Sequence, residues 1–405
     1  MFKKIIKSVF RRRHFWRYAT FDEVAELYVS RLLRMSAIHI VGSFMSIYLF
    51  QIGYSVVQIA LYWAAFYAFK AIISIPLTTV IAKFGPKHSI LASNLLYIPA
   101  MVLFAILPNI GAWLLLPILV IQAISVTLYS IAYNVDFSKV KSVEHAGKEI
   151  AYMNIVERAA TGLSPLIGGV LAFFLGPQAL IIASAILFAV AAVPLLRTDE
   201  QVHTNVKLSF QGFPWHLVRQ HAVAQWSLGV DVFASGTVWT LYTAVLIIGV
   251  TSSNEVYLAN GVLLSVILFA ALGTSYAFGK IVDQKKGRSL MNIGAILNSV
   301  THLLRPFTNN PVSVAGLNVG NEMATTAYTL PYTRGVFENA DLSGRRREYL
   351  AITEILANAG ACLAALVLAL MGMLMGETSA LSWFFFVAAV SALLVLTARF
   401  PLYKN

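Results

Sequence analysis

The chain has 405 residues, of which 58% are hydrophobic and 12% charged, with a mean hydropathy of +0.73 and a net charge of +12. A soluble globular domain is nearer half apolar and a quarter charged, so this composition excludes an ordinary water-soluble enzyme or binding module and points to a lipid bilayer. The one cysteine, Cys362, sits in an apolar stretch, which rules out an intramolecular disulfide and leaves packing as its expected role.

The chain opens with MFKKIIKSVFRRRHFWRY, residues 1–18. The apolar run behind it is long and lacks a small-residue cleavage site, which argues against a cleaved secretory signal. A basic amphipathic segment over 1–22, resting on anionic lipid headgroups, is expected instead. A nucleic-acid-binding arm is the other reading of such a stretch. The membrane character of everything behind it argues against a nucleic-acid partner. A membrane helix needs about 20 mostly apolar residues. Such runs recur at 33–53, 55–82, 87–108, 111–135, 148–175, 177–196, 224–250, 254–282, 289–307, 311–335, 348–373 and 378–398, twelve in all.

The longest hydrophilic interruption, RTDEQVHTNVKLSFQGFPWHLVRQHAV at 197–223, divides six spans from six. The N-terminal bundle is expected over 23–196, the C-terminal bundle over 224–400, and the stretch between them as a cytoplasmic linker. Lys and Arg gather on the side of the termini and the linker, including Lys83, Lys87, Lys285, Lys286 and Arg345 to Arg347. Opposite loops such as QIGYS, PNIGA and MGET hold none, and only Arg305 approaches that face. The positive-inside rule then places both termini in the cytoplasm of a multi-pass membrane protein, with a bacterial-type plasma membrane as the expected location. The charge sets topology and says little about cargo.

Two stretches repeat each other. YSIAYNVDFSKV starts at Tyr129 in the fourth span, and YTLPYTRGVFEN starts at Tyr328 in the tenth, 199 positions on. Each reaches a base–glutamate pair at the same offset, Lys148–Glu149 and Arg347–Glu348. An even number of spans separates the copies, so the repeats run parallel, related by an axis along the membrane normal. The expected fold is an all-α integral membrane protein with twelve transmembrane helices in two pseudo-symmetric six-helix bundles.

The loop after the eighth span reads GKIVDQKKGR, with Gly279, Asp283, Gly287 and Arg288, and the fifth span reads AATGLSPLIGG, with Pro165, Gly168 and Gly169. Together with twelve spans split six and six, these stretches resemble the major facilitator superfamily of secondary transporters over nearly the whole chain. That family carries G-x-x-x-D-(R/K)-x-G-(R/K) after the second span, often echoed after the eighth. Here the first copy, TTVIAKFGPK, keeps Gly85 and Lys87 but has Ala82 at the acidic position. The glycine–proline motif is linked in the family to exporters; Ala160 and Ser164 stand where glycine is usual. Leu119 occupies the position of the fourth-span arginine, before Gln122 and Ala123, which weakens any expectation of the standard proton-antiport relay. The resemblance implies a central cavity lined by spans one, four, seven and ten. Taken alone, a proline among small residues is a close helix crossing or a kink, and a charged short loop is a topology signal.

A charge near the bilayer centre costs at least ~2.5–3.5 kcal/mol and is expected to face the bundle interior. His39, Lys70, Glu157, Arg158, Asp231, Glu322 and Glu354 fall at such depth. Stripes at helical spacing accompany them. The second span has Trp63, Tyr67, Lys70 and Ser74; the fourth has Gln122, Ser125, Tyr129 and Tyr133. The seventh has Asp231, Ser235, Trp239 and Tyr242; the tenth has Asn318, Glu322, Thr325 and Thr329, flanked by Asn321 and Tyr328. Helix–helix hydrogen bonds of about 0.6 kcal/mol account for any single Ser or Thr. The stripes that hold Asp231 and Glu322 point instead to a water-filled cavity. Deep bases lie in the first half, and most deep acids in the second. The acids are candidates to carry protons. Lys70 and Arg158 are candidates to hold an anionic group, with pairing to a neighbour as the structural alternative. At the cytoplasmic ends, Lys83 with Asp136 and Asp283 with Arg334 are expected to form equivalent latches with exchanged signs; solvated topology charges are the alternative.

The expected function is secondary active, proton-coupled export of a small amphiphilic molecule by a monomer whose partners are that molecule, protons and the bilayer. Uptake of an organic anion by symport is the alternative within the class; a membrane-embedded sensor or scaffold is the alternative outside it. No phosphate-binding glycine loop, ATP motif, His–Glu metal spacing or nucleophilic triad is legible, so no enzymatic activity, cofactor or metal is expected.

Overall fold

The computed structural model describes residues 21–140, 146–196, 207–249, 254–283 and 286–403, and of these the side chains of all but 21–27, 137–140, 146–154, 156, 269, 270 and 283. Residues 1–20 of the basic segment, the linker residues 197–206 and the side chains of Lys148 and Glu149 therefore lie outside the described residues. The first bundle consists of α1 (Phe21–Gln51), α2 (Val56–Phe84), α3 (Pro86–Ile110), α4 (Leu115–Val140), α5 (Ala146–Leu175) and α6 (Pro177–Ala192). The second consists of α7 (Ala222–Ile248), α8 (255–283), α9 (Gly287–Leu304), α10 (Pro311–Leu342), α11 (Arg346–Met375) and α12 (Glu377–Leu393).

The spans begin and end where the sequence offers a cap. Ser55 and Gln58 form a reciprocal capping box at the start of α2. Asn310 accepts from the Ser313 amide and is followed by Pro311 at the first position of α10. Gly176 and Gly376 both turn at φ 85°, between α5 and α6 and between α11 and α12. Glycine takes that left-handed backbone without a Cβ penalty, so the internal repeat extends to the turns.

Among the described residues, nine helices are long and apolar enough to cross a membrane. The other three spans are α8, α9 and α10. α8 is interrupted at Val266 between Glu255–Ser265 and Ile267–Asp283. α9 and α10 bury Asn298, His302, Asn318 and Glu322, which lowers their hydropathy without shortening them. α1 starts at Phe21 rather than at 33 for the same reason. Arg31 and Arg34 interrupt the apolar run but are buried against partners, so the helix continues. α7 is α-helical to Phe233, then makes π turns at Ala234–Val238 and Thr243–Ile248 on either side of Trp239–Tyr242. Such turns lack the normal 3.6-residue register and are frequent at functional sites.

Between the bundles, α2 lies along α11 and α5 along α8. The residues Pro165, Gly168 and Gly169 form the tightest part of the second contact. A Cβ on Gly169 would stand 2.6 Å from the Tyr257 carbonyl oxygen, and one on Gly261 would stand 2.4 Å from that of Pro165. Gly168 does the same work against α1, where a Cβ would meet the Ile40 carbonyl at 2.6 Å. Removing the side chains lets backbones meet directly, which drives helix association in lipid. At the same end, away from the termini, Gly372 of α11 faces Val57 of α2, and Tyr257 donates to Gln51 at 2.5 Å. The two bundles are closed against each other there.

The later part of the linker belongs structurally to the second bundle. The Ser209 amide donates to Glu348, Asn339 donates to the Leu217 carbonyl, and the Arg399 amide donates to the Gln220 carbonyl. His221 sits between the hydroxyls of Tyr332 and Tyr349, and burial pushes its imidazole down to about 4. The imidazole is therefore neutral at physiological pH. Phe400 and Tyr403 close this layer. Gly335 and Gly287 lack the Cβ that would strike their rings, and Tyr403 donates to the Pro331 carbonyl at 2.9 Å.

Candidate functional site

The deep charges are partners of one another. Lys70 of α2 lies 3.3 Å from Glu354 of α11, and Arg158 of α5 lies 3.0 Å from Glu322 of α10. Both pairs join the first bundle to the second, with the base on the first and the acid on the second. Glu354 also accepts from Ser130 of α4 at 3.0 Å and from Asn358 at 3.1 Å. Glu322 accepts from Thr326 at 3.0 Å. Glu157, next in sequence to Arg158, turns the other way and meets Arg31 of α1 at 2.6 Å. Adjacent residues on one helix point about 100° apart, which is why this Glu and Arg serve different helices. Each pair has one buried and one partly open member: Glu157, Arg158 and Glu354 side chains are 28%, 25% and 17% exposed, against 10%, 5% and 9% for their partners. Ser235, Asn321, Thr325 and Thr329 of the seventh and tenth spans are half-buried as well.

A second cluster lies within the C-terminal bundle, around Asp231. One carboxylate oxygen accepts from His302 Nε2 at 2.7 Å, Asn298 at 3.0 Å and Ser235 at 3.3 Å. The other accepts from Tyr328 at 2.5 Å. Arg305 donates to His302 Nδ1 at 2.9 Å, to Ser235 at 3.2 Å and to Asn321 at 3.0 Å. Its guanidinium lies over Trp239 and Phe385, 4.8 and 5.3 Å from the ring centres. Trp239 in turn donates to Asn318 at 2.6 Å and stacks on Tyr242. Four donors on one carboxylate satisfy the ionised form, and a charge buried this deeply is tolerable only with such saturation.

In the first bundle, Arg34 is fully buried and held by neutral groups. It donates to Asn94 at 2.6 Å, to Ser93 and Ser125 at 3.3 Å each, and lies 4.0 Å over the Tyr129 ring. Arg31 lies 3.8 Å over Tyr133. Gln122 accepts from Tyr62 of α2 at 3.2 Å. The stripe Gln122, Ser125, Tyr129 and Tyr133 is thus a buried seat for neighbouring helices, not an open wall. α3 contributes Ser93 and Asn94 to that seat.

The loop motif is partly visible. Arg334 donates to the Val282 carbonyl at 3.0 Å and so satisfies the last turn of α8. Arg288 donates to the Ala398 carbonyl at 2.9 Å, while Gly279 and Gly287 are buried. The Asp283 side chain lies outside the described residues. Lys83 is exposed, with its ammonium 5.3 Å from the Phe84 ring, and Asp136 is buried.

The polar stripes of the sequence do not single out Arg31, Arg34, Asn298 or His302; Arg305, expected near the outer face, stands at that end of α9 with its side chain buried, 1% exposed. A signal was available: Asn298, His302 and Arg305 recur at +4 and +3, as do Arg31 and Arg34 at +3, each on one helix face.

The Lys70–Glu354 pair can be tested directly. Removing one member of a buried pair costs up to ~3–5 kcal/mol. Glu354 keeps two other donors, so a smaller loss is expected for Lys70→Gln: a fall of several degrees in thermal unfolding of purified protein. Exchanging the charges, Lys70→Glu with Glu354→Lys, should recover part of it. A double variant no more stable than Lys70→Glu alone would remove the pair from the account.

The chain matches the model of the Major Facilitator Superfamily over residues 27–333. No curated protein matches the sequence. Among solved structures, the human organic anion transporter MFSD10 (TETRAN) superposes with a TM-score of 0.66 at 13% identity, covering 93% of this chain and all of the other. The Escherichia coli fucose:proton symporter FucP gives 0.64 at 15% identity, with 95% and 98% covered. A bacterial homologue of the iron transporter ferroportin, outward-facing with soaked iron, gives 0.66 at 15% identity, with 94% and 98% covered. At these identities the likeness is one of fold alone. The family match, the two six-helix bundles and the polar groups buried between them agree: the chain is an integral, multi-pass membrane protein that belongs to the major facilitator superfamily of transporters.

Proposed function

We propose that this protein is a proton-coupled secondary transporter that exports a small amphiphilic molecule by antiport, with both termini in the cytoplasm. The observation that carries this reading is the pair of ion bridges between the bundles, Arg158–Glu322 and Lys70–Glu354. Alternating access requires the bundles to rock against each other. A carboxylate that holds them together becomes neutral when protonated, so the bridge breaks and the equilibrium between the two states follows the proton. Asp231, buried among four donors, is a further group whose charge the protein maintains inside the membrane. Export is supported by the residues Pro165, Gly168 and Gly169, which match an exporter-linked motif and close the bundles at the end away from the termini.

The experiment is transport in liposomes under an imposed pH gradient, with a panel of cationic, neutral and anionic fluorescent amphiphiles. Wild-type protein should move at least one of them against its gradient while protons run the opposite way. Asp231→Asn, which keeps the shape but removes the charge, should reduce that movement at least tenfold. Movement of cargo and protons in the same direction would replace antiport by symport. Gradient-driven movement unaffected by Asp231→Asn would remove that residue from the mechanism.

A further inference from the structure

The contact between Arg305 and His302 restricts the chemistry of the imidazole. A guanidinium carries only donors. Arg305 donates to His302 Nδ1 at 2.9 Å, so Nδ1 must be a bare acceptor, and the ring hydrogen sits on Nε2, where it is donated to Asp231 at 2.7 Å. The triad is then a carboxylate, a neutral imidazole and a guanidinium, with the charge balanced across the ring. A proton on Nδ1 would point straight at an Arg305 N–H. His302 cannot take a proton while Arg305 keeps its place.

The same guanidinium is held in this place by its bonds to Ser235 and Asn321, both half-buried. Its Nε is buried with no hydrogen-bond partner. What faces His302 comes from Asp231 of α7, with Tyr328 of α10 behind it, from Arg305 just beyond the end of α9, and from the uncharged Phe385 of α12, whose ring lies 6.4 Å away. Asp231 is therefore the acid that would stabilise an imidazolium, and Arg305 the cation that forbids it.

We propose that Arg305 is the positioning residue that holds His302 as the neutral Nε2–H imidazole, so that His302 takes a proton only when the guanidinium leaves Nδ1. The inference rests on the proton-coupled reading above and adds a group that the protein keeps from carrying the proton in this state. Ser235 and Asn321 anchor the guanidinium against Nδ1, and Arg305 acts on the proton site through His302.

Histidine ¹⁵N NMR of the purified full-length protein tests this without any cargo, with the His302 signals assigned by their loss in His302→Gln. At pH 8 the wild type should show His302 as the neutral Nε2–H form. Arg305→Gln can turn its carbonyl toward Nδ1–H, so in that variant His302 should become doubly protonated at a pH about one unit higher than in wild type, an about tenfold gain in proton affinity. Arg305→Lys keeps a cationic donor and should behave as wild type. A wild-type His302 that is Nδ1–H or doubly protonated at pH 8, or one that titrates identically in wild type and Arg305→Gln, overturns the proposal. Because the readout is a protonation state, it stands apart from the transport result. If the NMR pattern holds and no proton-driven transport exists, the transport reading fails while the Arg305 control of His302 survives.

Discussion

Gly229→Val and Gly360→Val should each leave almost no folded protein. The two glycines face each other's helices where α7 crosses α11. A Cβ on Gly229 would lie 1.8 Å from the Ala357 carbonyl oxygen, and one on Gly360 would lie 1.9 Å from that of Trp226. Those neighbours are backbone, which cannot rotate away as a side chain does, so the helices must separate. Overpacking typically costs about 1–3 kcal/mol, and this crossing belongs at or beyond the upper end because it also holds Asp231 in place, two residues after Gly229. The comparison variant is Gly316→Ala in α10, where nothing lies within 4 Å of the added carbon. Size-exclusion profiles and thermal unfolding should show loss of the monodisperse peak for the valine variants and a near-normal profile for Gly316→Ala. Equal behaviour of all three would mean that the crossing is looser than described.

Arg158→Glu should abolish transport while leaving the protein folded. It places a carboxylate opposite Glu322, 3.0 Å from the position now held by the guanidinium, and beside Glu157. The residue is one-quarter exposed, so water offsets part of the repulsion and folding survives. The bridge that holds α5 to α10 is lost, and like charges push the bundles apart. The charge exchange Arg158→Glu with Glu322→Arg should restore at least a tenth of wild-type transport in the liposome assay. An exchange variant as inactive as Arg158→Glu would mean that the two residues do not act as a pair.

Much of the fold is legible in composition and repetition, because lipid forces the backbone into helices and leaves hydropathy as the readable variable. The span limits of α7 and α8 fall within two residues of those expected. α1 is longer than expected because hydropathy treats Arg31 and Arg34 as an end, whereas Glu157, Asn94 and two tyrosine rings make them part of the helix. The asymmetry of bases and acids between the halves was readable; that it exists because Lys70 meets Glu354 and Arg158 meets Glu322 was not. Those partners are more than 160 positions apart, and no local pattern reports which helices touch. The cluster at Asp231 shows the same limit. Asp231, Ser235 and Tyr328 are marked by their stripes; His302 and Arg305, at the end of α9 and just beyond it, join Asp231 only through contacts between helices distant in sequence. The glycine–proline stretch in α5 proved to be a close crossing, the meaning its small residues carry without any family motif.

The central claim is that protons control the bridges between the bundles. It is tested most directly by measuring one distance at two pH values. Trp113 and Phe307 are 66% and 72% exposed at the end away from the termini, one on each bundle. Spin labels at Trp113→Cys and Phe307→Cys, in a Cys362→Ala background, report the separation of that end by pulsed electron resonance. Protonating Glu322 and Glu354 removes their attraction for Arg158 and Lys70, so the account predicts a longer distance population that grows as the pH is lowered. Glu322→Gln combined with Glu354→Gln should show that population already at high pH, with little further change on acidification. A distance distribution that is the same at both pH values, or one that still responds fully to pH in the double glutamine variant, would contradict it.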